Sequence, residues 1–99
     1  MRAEILNIAE SELQETIDYY NRQSEGLGFE FALEVKDTIS RIVLYPQAWT
    51  PLSNRTRRCR TKRFPYALVY QVRKDFVLIV AVMHLRKDPE YWKTRVSRL

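Results

Sequence analysis

Two apolar runs separated by only three residues constrain this 99-residue chain more than any other feature. They span positions 66–72 and 76–83, with Arg73-Lys74-Asp75 between them. Three residues are too few for a crossover, so the runs read as an antiparallel hairpin. In the first arm Tyr66, Leu68, Tyr70 and Val72 face one way, and Ala67, Val69, Gln71 and Arg73 the other. The second arm carries no charge over eight residues. That continuity marks a central strand, apolar on both faces.

A basic segment leads into the hairpin. Residues 55–63, Arg-Thr-Arg-Arg-Cys-Arg-Thr-Lys-Arg, hold six cations. Their β-compatible positions predict a strand over 57–63, running towards Phe64-Pro65. Arg58, Arg60 and Lys62 then share one side of the pleat, and Arg57, Cys59, Thr61 and Arg63 the other. The wider charge balance points the same way. Residues 1–54 hold four Lys/Arg against nine Asp/Glu, a net −5, while residues 55–99 hold thirteen against three, a net +10. A split of that size predicts one electropositive side that attracts nucleic acid, an acidic protein or both. The competing reading is a solvated basic surface that serves solubility. Lys93, Arg95 and Arg98 make the end of the chain basic again.

The first half reads as a helical hairpin. Residues 3–6 fit a short edge strand. Asn7 with Glu10 three residues later resembles a helix cap with its reciprocal acid, opening a helix that reaches about Arg22. Ala9, Leu13, Ile17 and Tyr20 share one face of it. Residues 23–28, with Gly26 and Gly28, break the pattern. A second helix follows over 29–44, with Leu27, Phe31, Val35, Ile39 and Ile42 as its apolar stripe. Pro46 ends it, because a residue before proline, here Tyr45, is pushed out of helical geometry. Residues 46–54 are a loop whose Trp49 and Leu52 are expected to tuck onto the core, the alternative being that Trp49 is an exposed contact residue. After the hairpin, Asp88-Pro89 reads as the cap and first position of a short helix that carries Tyr91 and Trp92.

Size and composition bound the rest. A chain of 99 residues, 45% of them hydrophobic, makes one domain (1–99) with its own core. No run approaches the roughly 20 apolar residues of a membrane span. The acidic N-terminus lacks a secretory pattern, so a soluble, cytoplasmic protein is expected. A single cysteine, Cys59, excludes an internal disulfide and fits a reducing compartment. Its arginine neighbours would favour a thiolate, but with no partner His or Cys nearby in sequence it reads as an ordinary strand residue. One His and one Cys cannot form a metal ligand set, so neither metal nor cofactor is expected.

Several short motifs then fall in a familiar order. They are Ala9-x-x-x-Leu13, Ile17-Asp18-Tyr19-Tyr20, Gly26-Leu27-Gly28-x-x-Phe31 and the stretch 42–46 ending in Pro46. Further on come Arg63-Phe64-Pro65-Tyr66, Val69-Tyr70 and Ala81-Val82-x-His84-x-Arg86-Lys87-Asp88-Pro89-x-Tyr91-Trp92. The chain resembles the RelE/ParE superfamily of toxins from bacterial type II toxin–antitoxin modules, in particular its ParE-like, plasmid-stabilisation branch. The resemblance implies an α+β fold: an antiparallel helical hairpin on a twisted, mainly antiparallel sheet of about four strands, with a short C-terminal helix or turn. It also implies a growth inhibitor held inactive by a cognate antitoxin. The acidic, partly disordered C-terminal segment of that antitoxin folds over the toxin, here on Leu13, Ile17, Tyr20, Phe31 and Val35.

Two modes of action follow from the resemblance. One branch cleaves messenger RNA on the ribosome without a metal. It needs groups to move protons and cations to stabilise the transition state, and Arg63, His84, Arg86 and Tyr91 are the candidates. The RNA-cleaving members commonly carry an arginine after the tyrosine that opens the equivalent strand; here that position is Ala67. The other branch poisons DNA gyrase with no catalytic residue of its own, and the missing cation favours it. Target contacts in that case fall to Arg55, Arg57, Arg58, Arg60, Lys62, Arg63, Arg86, Lys87 and Trp92. A non-catalytic nucleic-acid-binding module explains the charge equally well, but leaves the Asp88-Pro89-x-Tyr91-Trp92 ending without a role.

Overall fold

In the computed structural model, which describes residues 1–97, the predicted hairpin is the centre of a five-stranded sheet. Strands β1 (Arg2–Ile5), β2 (Thr50–Pro51), β3 (Thr56–Arg60), β4 (Tyr66–Val72) and β5 (Phe76–His84) are ordered β1-β5-β4-β3-β2. All neighbours are antiparallel except β1, which lies parallel to β5. Helices α1 (Asn7–Gln23) and α2 (Leu27–Leu44) form the predicted hairpin, and a short α3 (Lys93–Val96) ends the described chain.

The helices pack on one face of the sheet as their apolar stripes require. Phe31, Val35 and Ile42 of α2 meet Cys59, Leu68, Tyr70, Val77, Ile79 and Val82 in one buried cluster, with Leu13, Ile17, Tyr20, Leu27, Ile39 and Trp49 against it. The other face carries a second cluster of Ala67, Val69, Leu78, Val80, Ala81, Met83 and Trp92. Both faces are therefore covered, which is why β5 tolerates no charge. A β-bulge places Ala81 opposite Val69 and Ile79 opposite Tyr70, so Val80 is the extra residue. The bulge reverses the alternation: Val77 and Ile79 face the helices before it, and Val82 does so after it.

Several boundaries differ from the sequence reading. Asn7 makes no side-chain cap; Leu6 is the N-cap residue, and its N–H donates to the Ile79 carbonyl at 3.0 Å. The sheet itself thus fixes where α1 starts. The α1–α2 turn is set by Gly26 at φ 83° and by Gly28, where a Cβ would collide with the Ile17 carbonyl. Instead the Gly28 N–H donates to Asn21 Oδ1 at 2.7 Å. Strand β2, two residues long, lies inside the stretch read as loop. Strand β3 ends at Arg60, because Thr61 closes a turn by donating through Oγ1 to the Phe64 carbonyl at 2.7 Å. Asp88 caps only a local turn, its Oδ1 accepting from the Glu90 N–H at 3.0 Å, and α3 starts later, at Lys93. Arg98 lies outside the described residues.

Candidate functional site

The pleat of β3 divides its arginines as expected. Arg57, on the side of Cys59, donates through Nη1 to the Trp49 carbonyl at 2.8 Å. Arg58 and Arg60 stand opposite Val69 and Ala67, on the side of the second cluster. Lys62 and Arg63 do not belong to this alternation, since the strand has ended. They turn back to α2 instead: Lys62 Nζ lies 3.9 Å from Asp37, and Arg63 Nη2 2.8 Å from Glu30. The Arg63 backbone N–H also donates to the Glu34 carboxylate.

The antiparallel register then separates the cations along the sheet. Thr56 pairs with Gln71, so Arg55 and Arg73 meet at one end. Tyr66 pairs with His84, so Lys62, Arg63, Arg86 and Lys87 gather around the other. The single electropositive side expected from the sequence is two basic ends and a partly basic open face.

At the second end the four candidate catalytic residues do not converge. His84 lies edge-on to Tyr66, ring centroids 5.0 Å apart, and its Nδ1 accepts the Arg86 N–H at 3.0 Å. The Arg86 side chain is exposed. Arg63 points to Glu30 on α2. Tyr91 packs with the second cluster, on the sheet face away from the helices, and its hydroxyl donates to Glu12 Oε2 at 2.8 Å. Burial, and then that bond, push the Tyr91 phenol well above its ordinary range. A phenol so held stays protonated near neutral pH and does not serve as a base.

Glu12 is the centre of this arrangement, and nothing in its local sequence distinguishes it from the other acids of α1. Its carboxylate accepts from Nη1 and Nη2 of Arg95, each at 2.8 Å, and its Oε1 accepts the Val82 N–H at 3.0 Å. Arg95 also donates to the Val80 carbonyl at 2.9 Å. The bond to Glu12 holds the Arg95 guanidinium more firmly protonated. Strand β1 stops opposite Ile79, so these side chains satisfy the β5 edge beyond it. The cluster is a structural clamp for the C-terminal segment.

Other predicted roles are corrected by burial. Trp92 is 2% exposed and donates through Nε1 to the Pro89 carbonyl at 2.6 Å, so it is core and does not face a target. Phe31 and Val35 are buried beneath the helices, and Leu13, Ile17 and Tyr20 are partly buried against the same cluster, so none presents the open surface that an antitoxin needs. The exposed apolar side chains of α2 and the residue after it are Phe29, Leu33, Leu44 and Tyr45, each 64–68% accessible. Positions 29, 33 and 44 recur at helical spacing on the outward face. Cys59 is buried, and that burial pushes its thiol up, against the thiolate reading. Among the described residues no cluster of His, Cys, Asp and Glu could hold a metal, and no helix is long and apolar enough to cross a membrane.

Comparison with known proteins narrows what such a surface belongs to. Residues 4–89 match the family described as ParE toxin of type II toxin-antitoxin system, parDE. No curated protein matches the chain. Among solved structures it is similar to a chain of the chromosomal ParDE TA system from P. aeruginosa. The TM-score is 0.74 at 14% identity, over 85% of this chain and 95% of that one. At that identity the likeness is one of fold.

Proposed function

The chain belongs to the ParE toxin family of type II toxin–antitoxin systems, and on that premise we propose that it inhibits growth by binding and poisoning DNA gyrase, without catalysis of its own. The observation that carries the reading is the engagement of Tyr91 with Glu12 and Arg95, on the sheet face away from His84. An RNA-cleaving site needs its proton-transfer groups and its cations around one phosphate; here they point to different partners. Ala67, where RNA-cleaving relatives carry arginine, is wholly buried in the second cluster. Arg60, Arg86 and Lys87 are exposed and serve as target contacts.

The same reading includes a cognate antitoxin that covers the outward stripe of α2. Phe29 and Leu33 lie one turn apart, the spacing at which an apolar peptide face docks on a helix. Exposed side chains of this size on a surface helix are accounted for by a partner that buries them.

Purified protein added to gyrase and supercoiled DNA is expected to accumulate cleaved DNA complexes. The same protein added to ribosomes translating a defined message is expected to leave the message intact. Codon-site cuts in the second assay, with none in the first, refute the gyrase reading in favour of the nuclease one.

A further inference from the structure

The end of the sheet remote from His84 holds a cleft of about 320 Å³ that, apart from the target contact expected of Arg55, none of the roles above uses. It is lined by Asn54 and Arg55 from the β2–β3 loop, Thr56 of β3, Gln71 of β4, Arg73 just beyond β4, and Val96 of α3. Among the described residues no carboxylate lines it. By contrast Arg2, Arg41, Lys62, Arg63, Lys93 and Arg95 each stand within 4.0 Å of an acid. Arg55 and Arg73 make no ion pair among the described residues.

The cleft is also pre-organised from beneath. Buried Gln71 donates through Nε2 to Thr56 Oγ1 at 3.0 Å and accepts from Arg73 Nη2 at 2.7 Å. Gln71 and Thr56 are 6% and 1% exposed, so this chain of hydrogen bonds is fixed by the core. One nitrogen of the Arg73 guanidinium is held; among the described residues its Nη1 and Nε have no partner. Arg55 additionally borders an adjoining hollow of about 200 Å³ shared with Gln47, Arg57 and Val72. The two hollows share Asn54 and Arg55 but lie on opposite sides of the pleat, Arg73 with Thr56 and Gln71 in the first and Arg57 with Val72 in the second.

We propose that this cleft binds the phosphates of a nucleic-acid backbone. Arginine forks match phosphate oxygens two at a time, and Arg55, which borders both hollows at the end of the sheet, lets a strand pass from one to the other where an isolated anion would occupy only one. An acidic peptide offers similar charge, but it draws its affinity from apolar anchors as well. Among the described residues Val72 and Val96 are the sole apolar side chains lining the two hollows. The inference rests on this cleft and holds whatever the toxin's target.

The test is fluorescence anisotropy of the full chain with a labelled DNA oligonucleotide across a salt series, together with amide shifts in an NMR titration. Binding is expected to weaken steeply with salt, and Arg55→Ala with Arg73→Ala to lower the slope of log K against log salt by roughly 2, about one for each phosphate left without its arginine. A charge-matched control, Arg22→Ala with Lys36→Ala on the exposed helices, is expected to leave the slope unchanged. Arg55→Lys with Arg73→Lys retains the slope with weaker binding, since charge survives and the fork does not. In the unaltered protein, residues 53–56 and 71–73 are expected to shift on titration, which needs no variant to fold. Shifts confined to residues 84–87, or an unchanged slope in the alanine pair, overturn the proposal. ATP binding as tightly as the oligonucleotide makes the ligand a free nucleotide, and polyglutamate binding more tightly makes it a carboxylate chain; either result also overturns it.

Discussion

Replacing Glu12 with glutamine tests whether the C-terminal segment is clamped or merely adjacent. The carboxylate accepts from Arg95 twice, from Tyr91 and from the Val82 N–H. Glutamine keeps the shape and one acceptor oxygen, but turns an amide group towards a guanidinium that is only 12% exposed. Removing one partner of a buried pair costs about 3–5 kcal/mol. Glu12 is 21% exposed, so the lower end applies, about 3 kcal/mol. For a domain of this size that lowers Tm by roughly 12–24 °C. Urea unfolding read by tryptophan fluorescence measures the loss, and hydrogen exchange at the Val82 amide locates it. Adding Arg95→Met to Glu12→Gln should recover part of the loss, because the orphaned charge has gone. A glutamine variant within about 0.5 kcal/mol of the parent, the range of ordinary surface substitutions, with unchanged exchange at Val82, refutes the clamp. The companion variant Tyr91→Phe should still arrest growth when expressed without antitoxin, because its hydroxyl has a structural task and not a chemical one.

Three further outcomes follow from packing and burial. Gly28→Ala drives a methyl into the Ile17 carbonyl, and the helix propensity gained does not offset the clash, so a loss of about 2 kcal/mol is expected in thermal melts. Burial pushes the Tyr70 phenol up to about 12, above its unfolded value of 10.0, while the hydroxyl donates to the Pro46 carbonyl at 2.6 Å. A raised phenol contributes stability that is complete below the unfolded pKa and lost as pH rises through the folded one, so unfolding free energy should fall by about 2 kcal/mol between pH 10 and 12, and Tyr70→Phe should flatten that slope. Leu33→Glu on the outward stripe of α2 should weaken antitoxin capture at least tenfold, about 1.4 kcal/mol, while leaving Tm within a few degrees of the parent, as measured by calorimetry of the complex and of the free toxin.

What the sequence made legible was whatever depends on local period. The stripes of both helices, the alternation of β4 and the opposed sides of β3 are each written in residues two, three or four apart. What escaped depends on distant pairing. Strand β1 lies parallel to a strand more than seventy residues away, and β2 is two residues with no period at all. The bulge at Val80 reverses the alternation inside a run that is apolar throughout, so the reversal changes no residue type. The antitoxin residues drawn from the sequence are buried or half-buried for a related reason. A helix's strongest apolar stripe is the one its own core takes, as Phe31 and Val35 do, and a partner is left the weaker stripe of Phe29, Leu33 and Leu44.

The thirteen cations of the second half mattered to the sequence reading through their number, but burial decides what each one does. Lys62 and Arg63 face Asp37 and Glu30 with side chains 54–70% exposed on both sides. Pairs that wet are worth at most about 1 kcal/mol, so a partner with stronger anions can draw both cations away from α2 at little cost. Arg95, 12% exposed and doubly bonded to Glu12, is committed to the fold and cannot be recruited without loosening the C-terminal segment. Arg73 lies between these cases: one nitrogen is held by the buried Gln71 and the rest of the fork faces a cleft that no acid lines among the described residues. A guanidinium fixed by its core and uncompensated at its mouth has already lost most of the side-chain entropy that binding otherwise costs. That makes Arg73, which the sequence offered only as a hairpin-turn residue, a stronger candidate for anion contact than Lys62 or Arg63 in the basic run itself.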